Sequence, residues 1–271
     1  MEKLKRIIGN AACALVVLIW IFPIYWIALT SIKPVPDIMS KIPVFFFQPT
    51  IEHYKNVFEA YNFSYVVFNS VVIVAASTFI TIFLSLPATY SLAIFNLKKS
   101  DTIALTVLSL RFMPAIALAI PWYVLFQRLG MLDTHTTMII VYIGFSIPFA
   151  VWLLYGFLRE IPPELIQAAM LDGYNHLKIL RKIVMPLAGP GIAVTSMFTF
   201  IFAWNEFLLA LFLTDSVATT IPVAVSRFVQ SYQVLWGEIS AAGLMAMLPM
   251  LVLVVYLQKY IVRGLTFGAV K

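Results

Sequence analysis

The segment from Arg159 to Pro190, REIPPELIQAAMLDGYNHLKILRKIVMPLAGP, is polar and bracketed by prolines, whereas most of the surrounding sequence is strongly apolar. Of the 271 residues, 62% are hydrophobic and 11% charged, while a soluble domain carries about 25% charged residues. The composition therefore predicts an integral membrane protein with one long polar connection, called here the polar segment. An ordered polar connection of this length indicates a docking surface.

Six apolar blocks are each long enough to cross the bilayer once, at a rise of about 1.5 Å per residue. They fall at 11–31, 65–95, 103–126, 138–158, 190–213 and 241–262. We predict an all-α, polytopic membrane protein with six transmembrane helices. Its expected parts are an amino-terminal helix and outer segment over 1–64, a core transmembrane domain over 65–262, and a tail over 263–271.

The basic residues predict the orientation of these helices. If both termini are inside, twelve Lys and Arg residues lie on the inner side and five on the outer side, while Arg111 falls within a helix. Because basic residues are enriched in cytoplasmic loops, we expect the termini and the polar segment to be cytoplasmic in a multi-pass inner or plasma membrane protein. The net charge of +6 is thereby explained without a nucleic-acid partner.

The residue types that carry metal or nucleotide chemistry are not grouped in this sequence. Cys13 lies in the first apolar block, and His53, His135 and His176 lack the spacing of metal ligands. The phosphate-binding pattern G-x-x-x-x-G-K-[ST] does not occur. We expect no catalytic residue, no metal site and no cofactor, so that any ATP would be bound by partner subunits.

Prolines interrupt several of the apolar blocks. In a membrane such residues mark kinks or breaks, because neighbouring helices and water can satisfy the freed backbone groups. Kinked helices suit a pore that opens and closes, but they also occur in static bundles. The residues are Pro23, Pro87, Pro114, Pro121, Pro148 and Pro249.

Local signals predict two short helices within the polar segment. The two prolines near its start suit the first turn of a helix over 163–171, and Gly173 can end that helix in a left-handed conformation. Asn175 can cap a second helix over 176–185, which Pro186 would end. The result would be a helix–glycine–helix unit lying across one face of the membrane domain.

This unit has two possible roles. Basic amphipathic helices can simply rest on lipid headgroups, but Glu160, Glu164 and Asp172 would be repelled by an anionic membrane surface. The alternative is a docking site, at which the small side chains of Ala168 and Ala169 would allow another surface to approach closely.

The polar segment resembles the EAA loop of permease subunits of bacterial and archaeal ABC importers, whose usual pattern is E-A-A-x-x-D-G. In that family the loop forms coupling helices that insert into a cleft on the ATPase subunit, which implies the same role for Glu164 and Gln167 beside the matching positions. Gln167 stands where the family usually has glutamate, so a salt bridge at this position would be missing. The matching positions are Ala168, Ala169, Asp172, Gly173, Pro186 and Pro190.

The resemblance extends over nearly the whole chain. The strings RFMPAIALAIPWYVLFQRLGMLDT, WNEFLLALFLT and YLQKYIVRGLTFGAVK are similar to the carbohydrate-importing branch, particularly to the smaller, six-helix partner of a maltose-type permease pair. The resemblance implies half of a translocation pathway for an oligosaccharide. It also implies a second permease subunit, two ATPase subunits that bind ATP, and an extracytoplasmic solute-binding protein as partners, in addition to membrane lipid.

Polar residues within apolar blocks are candidates for the translocation pathway, because ionisable groups at membrane depth are costly. The candidates are Arg111, Trp204, Asn205 and Glu206. For Arg111 the more common role of such a residue is structural, as a partner of Glu206 or of a backbone carbonyl. Glu206 is also the residue that a competing class, an ion-gradient-driven secondary transporter or channel, would require at the midplane.

Overall fold

A computed structural model describes residues 2–59, 61–95, 97–230 and 233–266. The described part of the chain is helical, and its only β-type pairing is an isolated antiparallel bridge between Val229 and Val234. The all-α prediction is confirmed. In chain order the helices are α1 (Glu2–Ser31), α2 (Val35–Ile38), α3 (Glu52–Glu59), α4 (Phe63–Ile94), α5 (Ser100–Ser109) with the 3₁₀ turn Leu110–Phe112, α6 (Ala115–Arg128), α7 (His135–Arg159), α8 (Pro163–Leu171), α9 (His176–Ile179) with the π-helical turn Leu180–Val184, α10 (Met185–Leu187), α11 (Gly189–Trp204), α12 (Leu208–Leu213), α13 (Ile221–Ser226) and α14 (Trp236–Thr266).

Four helices among the described residues are long and apolar enough to cross a membrane singly, namely α1, α4, α7 and α14. Two further candidates are bent pairs. Ser100–Phe112 meets Ala115–Arg128 at 80°, and His176–Leu187 meets Gly189–Trp204 at 79°. Counting each pair as one span gives up to six crossings, the predicted number, but the second pair begins at His176, within the polar segment, and its membrane part differs from the predicted block 190–213.

Two predicted spans differ from a continuous helix. The block 103–126 is broken at Pro114, whose extended conformation precedes the first turn of α6; a proline lacks the N–H that would continue the preceding helix. The block 190–213 stops at Trp204 and resumes at Leu208. The other prolines named above lie inside helices, and α14 continues to Thr266, past the predicted start of the tail; the remainder of the tail lies outside the described residues.

The chain divides into two compact units, Met1–Tyr65 with Ala224–Leu248, and Val66–Val223 with Pro249–Lys271. In the first unit, the buried His53 ring links two backbone segments. Its Nε2 donates to the carbonyl oxygen of Lys33 at 2.9 Å, and its Nδ1 lies 3.3 Å from a carboxylate oxygen of Glu238. These contacts fix the chain just after α1 against the start of α14.

In the second unit, side chains from three places hold the loop that follows α12. Asn69 donates to the carbonyl oxygen of Val217 at 2.7 Å, and the Ser70 hydroxyl accepts from the Ile221 N–H at 2.8 Å. Asp133 supplies the third attachment, described below. Since a loop without secondary structure has many unpaired backbone groups, these bonds give it one conformation.

Candidate functional site

The polar segment forms the predicted helix–glycine–helix unit. Helix α8 occupies Pro163–Leu171 as predicted, and Gly173 follows it with a φ of +79°. Asn175 caps the next helix, since its side-chain oxygen accepts from the Lys178 N–H at 2.9 Å. The local signals of proline, glycine and asparagine therefore determine this part of the segment.

The second helix differs from the prediction. It was expected to end at Met185, but the chain stays helical to Leu187, with a π-helical turn over Leu180–Val184. A proline ring within an α-helix clashes with the carbonyl four residues earlier, and the wider π-helical turn that precedes Pro186 makes room for the ring. Pro186 thus reshapes the helix and does not end it.

A buried cluster joins the polar segment to the ends of α4, α7 and α11. Each large apolar side chain that is fully buried contributes about 1.5–3 kcal/mol, so this cluster binds the two short helices firmly to the long ones. A displacement of the polar segment must therefore move those helix ends. The buried members are Tyr90, Leu158, Ile166, Ala169, Ile179, Leu180, Val184 and Ala188.

Helices α7 and α11 approach each other closely beside this cluster. A Cβ atom built on Gly191 would lie 2.4 Å from Cγ and 2.7 Å from Cβ of Phe157. Carbon atoms at optimal separation lie about 3.5–4.0 Å apart. Glycine is therefore required at residue 191 for the observed packing of α11 against α7.

The opposite face of the polar segment is exposed. It presents Glu164, Gln167, Ala168 and Asp172, together with Leu171, whose side chain is 90% exposed. Pro186 is exposed as well. Ala169 differs from the other candidate coupling residues, because it is buried in the cluster beneath and holds α8 in place.

Arg111 lies in the 3₁₀ turn immediately before the break of the first bent pair. Its guanidinium carbon lies 3.6 Å from the centroid of the Phe145 ring, and Nη1 donates weakly to the Phe145 carbonyl oxygen at 3.4 Å. Among the described residues Arg111 forms no ion pair with Glu206. Of the alternatives that the sequence left open, the backbone carbonyl is the partner observed.

Glu206 explains the break between α11 and α12. Its buried carboxylate accepts from the N–H groups of Leu209 at 2.8 Å and Ala210 at 3.1 Å, and the Tyr142 hydroxyl lies 3.4 Å away. The first N–H groups of any helix lack intrahelical partners, so this carboxylate caps α12. A glutamate engaged in this way stabilises a helix end within the membrane domain.

The two neighbours of Glu206 have different surroundings. Trp204 is buried and stacks on Phe200 with ring centroids 5.5 Å apart. Asn205 is exposed, and its amide donates to the Ile201 carbonyl oxygen at 2.8 Å. Asn205 is therefore the candidate with a polar side chain open to its surroundings at this break.

The sequence analysis missed Asp133, which is the best-satisfied carboxylate in the described chain. Its two oxygens accept from the backbone N–H groups of Asp215, Ser216, Val217 and Ala218 at 2.9–3.0 Å. Partial burial alone would raise the pKa of this carboxyl, but the four N–H donors lower it to about 2. The sequence signal for a loop carboxylate at this position was an Asp that follows Gly130 by three residues and directly precedes the helix-capping Thr134.

The described residues offer no group of three His, Cys, Asp or Glu side chains that could hold a metal ion. Two kinds of feature are suited to function: the exposed face of the polar segment, and the two helix breaks, one near Arg111 and one near Asn205.

Comparisons with known proteins agree with this architecture. Residues 85–267 match the family described as binding-protein-dependent transport system inner membrane component. The chain is 37% identical over 267 residues to a probable ABC transporter permease protein of Sinorhizobium fredii, covering 98% of this chain and 96% of the relative. It is 32% identical over 274 residues to the trehalose/maltose transport system permease protein MalG of Thermococcus litoralis, covering 100% of this chain and 98% of the relative.

A solved structure supports the fold independently. The crystal structure of a bacterial ABC transporter involved in the import of the acidic polysaccharide alginate contains a chain that matches with a TM-score of 0.77 at 19% identity, covering 96% of this chain and 97% of that one. The resemblance noted in the sequence is confirmed. The chain belongs to the family of inner membrane components of binding-protein-dependent transport systems.

Proposed function

We propose that this chain is one of two permease subunits of an ABC importer and forms half of the translocation pathway for an oligosaccharide. The observation that carries this proposal is the polar segment, which has an exposed face on one side and a buried attachment to three long helices on the other. Such a unit can receive force from a partner and pass it to the membrane helices.

The exposed face is the proposed docking site for an ATPase subunit. Gln167, Ala168 and Leu171 would enter a cleft on that subunit, since an alanine and an apolar tip allow close approach, while Glu164 and Asp172 would meet donors at its rim. Gly173 would let α8 and α9 keep their relative angle. Ala169 would hold α8 against the buried cluster, and Pro186 would shape the second helix.

The remaining partners follow from the same assignment. Two ATPase subunits would bind and hydrolyse ATP, one on each permease subunit, and an extracytoplasmic binding protein would deliver the substrate. In this arrangement the polar segment and both termini face the cytoplasm, in agreement with the twelve basic residues on that side. Closure of the ATPase dimer would then move the polar segments and switch access from one side of the membrane to the other.

A carbohydrate substrate is supported by the likeness to the trehalose/maltose permease, which covers the whole chain. The proposed pathway contacts lie at the two helix breaks, because unwound backbone near membrane depth is tolerated only beside protein or water. Asn205 offers an amide that could bond a sugar hydroxyl. Arg111, held against the Phe145 ring, would control the width of the pathway, with Trp204 and Glu206 fixing the break.

The proposal is tested by reconstituting the chain with its co-purifying subunits in proteoliposomes that contain ATP. Uptake of a labelled maltose-type oligosaccharide should require both ATP hydrolysis and the binding protein, and it should persist when an ionophore removes ion gradients. Uptake that continues without ATP but stops with the ionophore would instead identify a secondary transporter.

The competing ion-driven function depends on Glu206, since a relay needs a carboxylate that can exchange protons. The carboxylate of Glu206 is already bound by two backbone N–H groups. This engagement favours a structural cap over a relay and therefore favours the ATP-driven function.

A further inference from the structure

A cavity of about 550 Å³ lies within the first compact unit, beside the end of α1. It is open on one side and is lined by the last turns of α1, the segment that follows it, the end of α13 and the first turns of α14. Most of the side chains that form it are apolar or aromatic. Those used in the argument below are Trp26, Lys33, Asp37, Lys41, Trp236 and Gly243.

Lys33 gives this cavity a buried positive charge. The residue is 3% exposed, and its ammonium lies 4.8 Å from the centroid of the Trp26 ring and 5.2 Å from that of Phe47. No carboxylate among the described residues forms an ion pair with it. Because a buried charge without a counter-ion is costly, this ammonium favours an anion in the cavity.

The backbone of Lys33 is held by the buried His53 ring. Its carbonyl oxygen accepts the bond from His53, and His53 is held by Glu238, which also accepts from Asn56 at 3.1 Å. A Cβ atom on Gly237 would lie 2.2 Å from the His53 ring, so the backbone at the start of α14 packs directly on that ring. The backbone that carries the Lys33 side chain is thus held in place.

The cavity adjoins the end of a candidate membrane span. Lys33 follows the end of the spanning helix α1 by two residues, and Trp26 and Trp236 are of the type enriched at membrane interfaces. The segment after Lys33 exposes Met39 at 68%, Ile42 at 76% and Phe46 at 96%. Apolar side chains exposed to this degree indicate a segment that lies in the interface with its apolar side in lipid.

We propose that this cavity binds an anionic phospholipid. The phosphate accepts from the Lys33 ammonium in the interior and from Lys41 at the rim, and an acyl chain lies against the apolar wall. Asp37 is the one carboxylate in the lining, so the two lysines leave the site with a net positive charge. The site is distinct from the polar segment and from the two helix breaks.

The test measures lipid retained by the full chain, purified with its co-purifying subunits, by native mass spectrometry after exchange into phosphatidylglycerol, phosphatidylethanolamine or phosphatidylcholine. Lys33→Met keeps the length of the side chain but removes the charge. Lys55→Met is the matched control, because Lys55 is exposed on α3 and outside the cavity. Gly243→Phe fills the cavity, since a Cβ atom on Gly243 meets nothing within 4 Å.

The expected result is tight retention of phosphatidylglycerol that falls by about fivefold or more in Lys33→Met, the effect of one basic group on anionic lipid, and is lost in Gly243→Phe. Lys55→Met should retain lipid like the unchanged protein. Equal retention of zwitterionic lipid, or retention of phosphatidylglycerol in both cavity variants, would overturn the proposal. So would displacement by millimolar inorganic phosphate or glycerol phosphate, because the site would then take a soluble anion.

Discussion

Gly191→Ala should loosen the contact between α7 and α11 and uncouple the polar segment from the membrane helices. The new Cβ would lie 2.4 Å from Cγ, 2.7 Å from Cβ and 2.8 Å from Cδ2 of Phe157. Rotating the Phe157 ring cannot relieve the contact with Cβ, which is fixed to the backbone of α7. The helices must therefore separate by about 1 Å to restore ordinary carbon–carbon distances.

The expected cost follows from overpacking, which typically destabilises by about 1–3 kcal/mol. Alanine gains up to about 1 kcal/mol over glycine in a helix, so the net loss should reach about 2 kcal/mol. The matched control is Gly156→Ala in α7, where an added Cβ meets nothing within 4 Å. That variant should be neutral or slightly more stable, because it gains helix propensity without a clash.

The assay compares denaturation of the purified complex in detergent with its binding-protein-stimulated ATP hydrolysis. Gly191→Ala should lower both, and adding Phe157→Ala should restore part of the loss, since it removes Cγ and Cδ2 but leaves Cβ in place. Wild-type stability and stimulation in Gly191→Ala would refute the reasoning, as would a double variant that is worse than the sum of the two single ones.

Three further substitutions test other parts of the structure. Asp133→Asn should lower the free energy of unfolding by about 1.5–3 kcal/mol above pH 4, because asparagine tolerates the left-handed φ of +55° but turns an N–H₂ group toward N–H donors. Since the pKa of Asp133 in the folded protein is about 2, the difference between variant and wild type in denaturation curves should shrink as the pH falls from 4 to 2. A difference that does not depend on pH would contradict the charge argument. Glu206→Gln should cost about 1–3 kcal/mol in thermal unfolding while the pH profile of uptake stays unchanged, and a shifted profile would indicate proton relay. Gly173→Val should strain the left-handed backbone at residue 173 by about 1–2 kcal/mol and abolish co-purification of the ATPase without loss of membrane insertion. Gly189→Ala is the control. Unchanged transport in Gly173→Val would argue against a coupling role for this glycine.

Much of the polar segment could be predicted because its signals are local. A proline pair, a glycine and an asparagine set the ends of α8 and the start of α9, and each acts on its own backbone. The four single spanning helices followed equally well from the lengths of the apolar blocks.

The remaining features depend on contacts between residues distant in the sequence. The break after Trp204 falls at the polar pair Asn205 and Glu206. The local part of its cause is the bond from Glu206 to the Leu209 N–H, and the distant part is the Tyr142 hydroxyl beside the Glu206 carboxylate, 64 positions earlier in the chain. The burial of Ala169 depends on α4 and α7, so the sequence alone could not distinguish Ala169 from the exposed Ala168. The Asp133 attachment joins residues 82 or more positions apart, and no local pattern specifies such a pair.

The most direct test of the central claim, that the polar segment docks an ATPase subunit, is photocrosslinking in the assembled transporter. A benzoylphenylalanine placed at Leu171, which is 90% exposed, is compared with one placed at Phe79 in α4, which is 73% exposed. The account predicts a covalent adduct with the ATPase subunit from residue 171 and none from residue 79. A complex that hydrolyses ATP and transports substrate, yet gives no ATPase adduct from residues 167, 168 or 171, would contradict it.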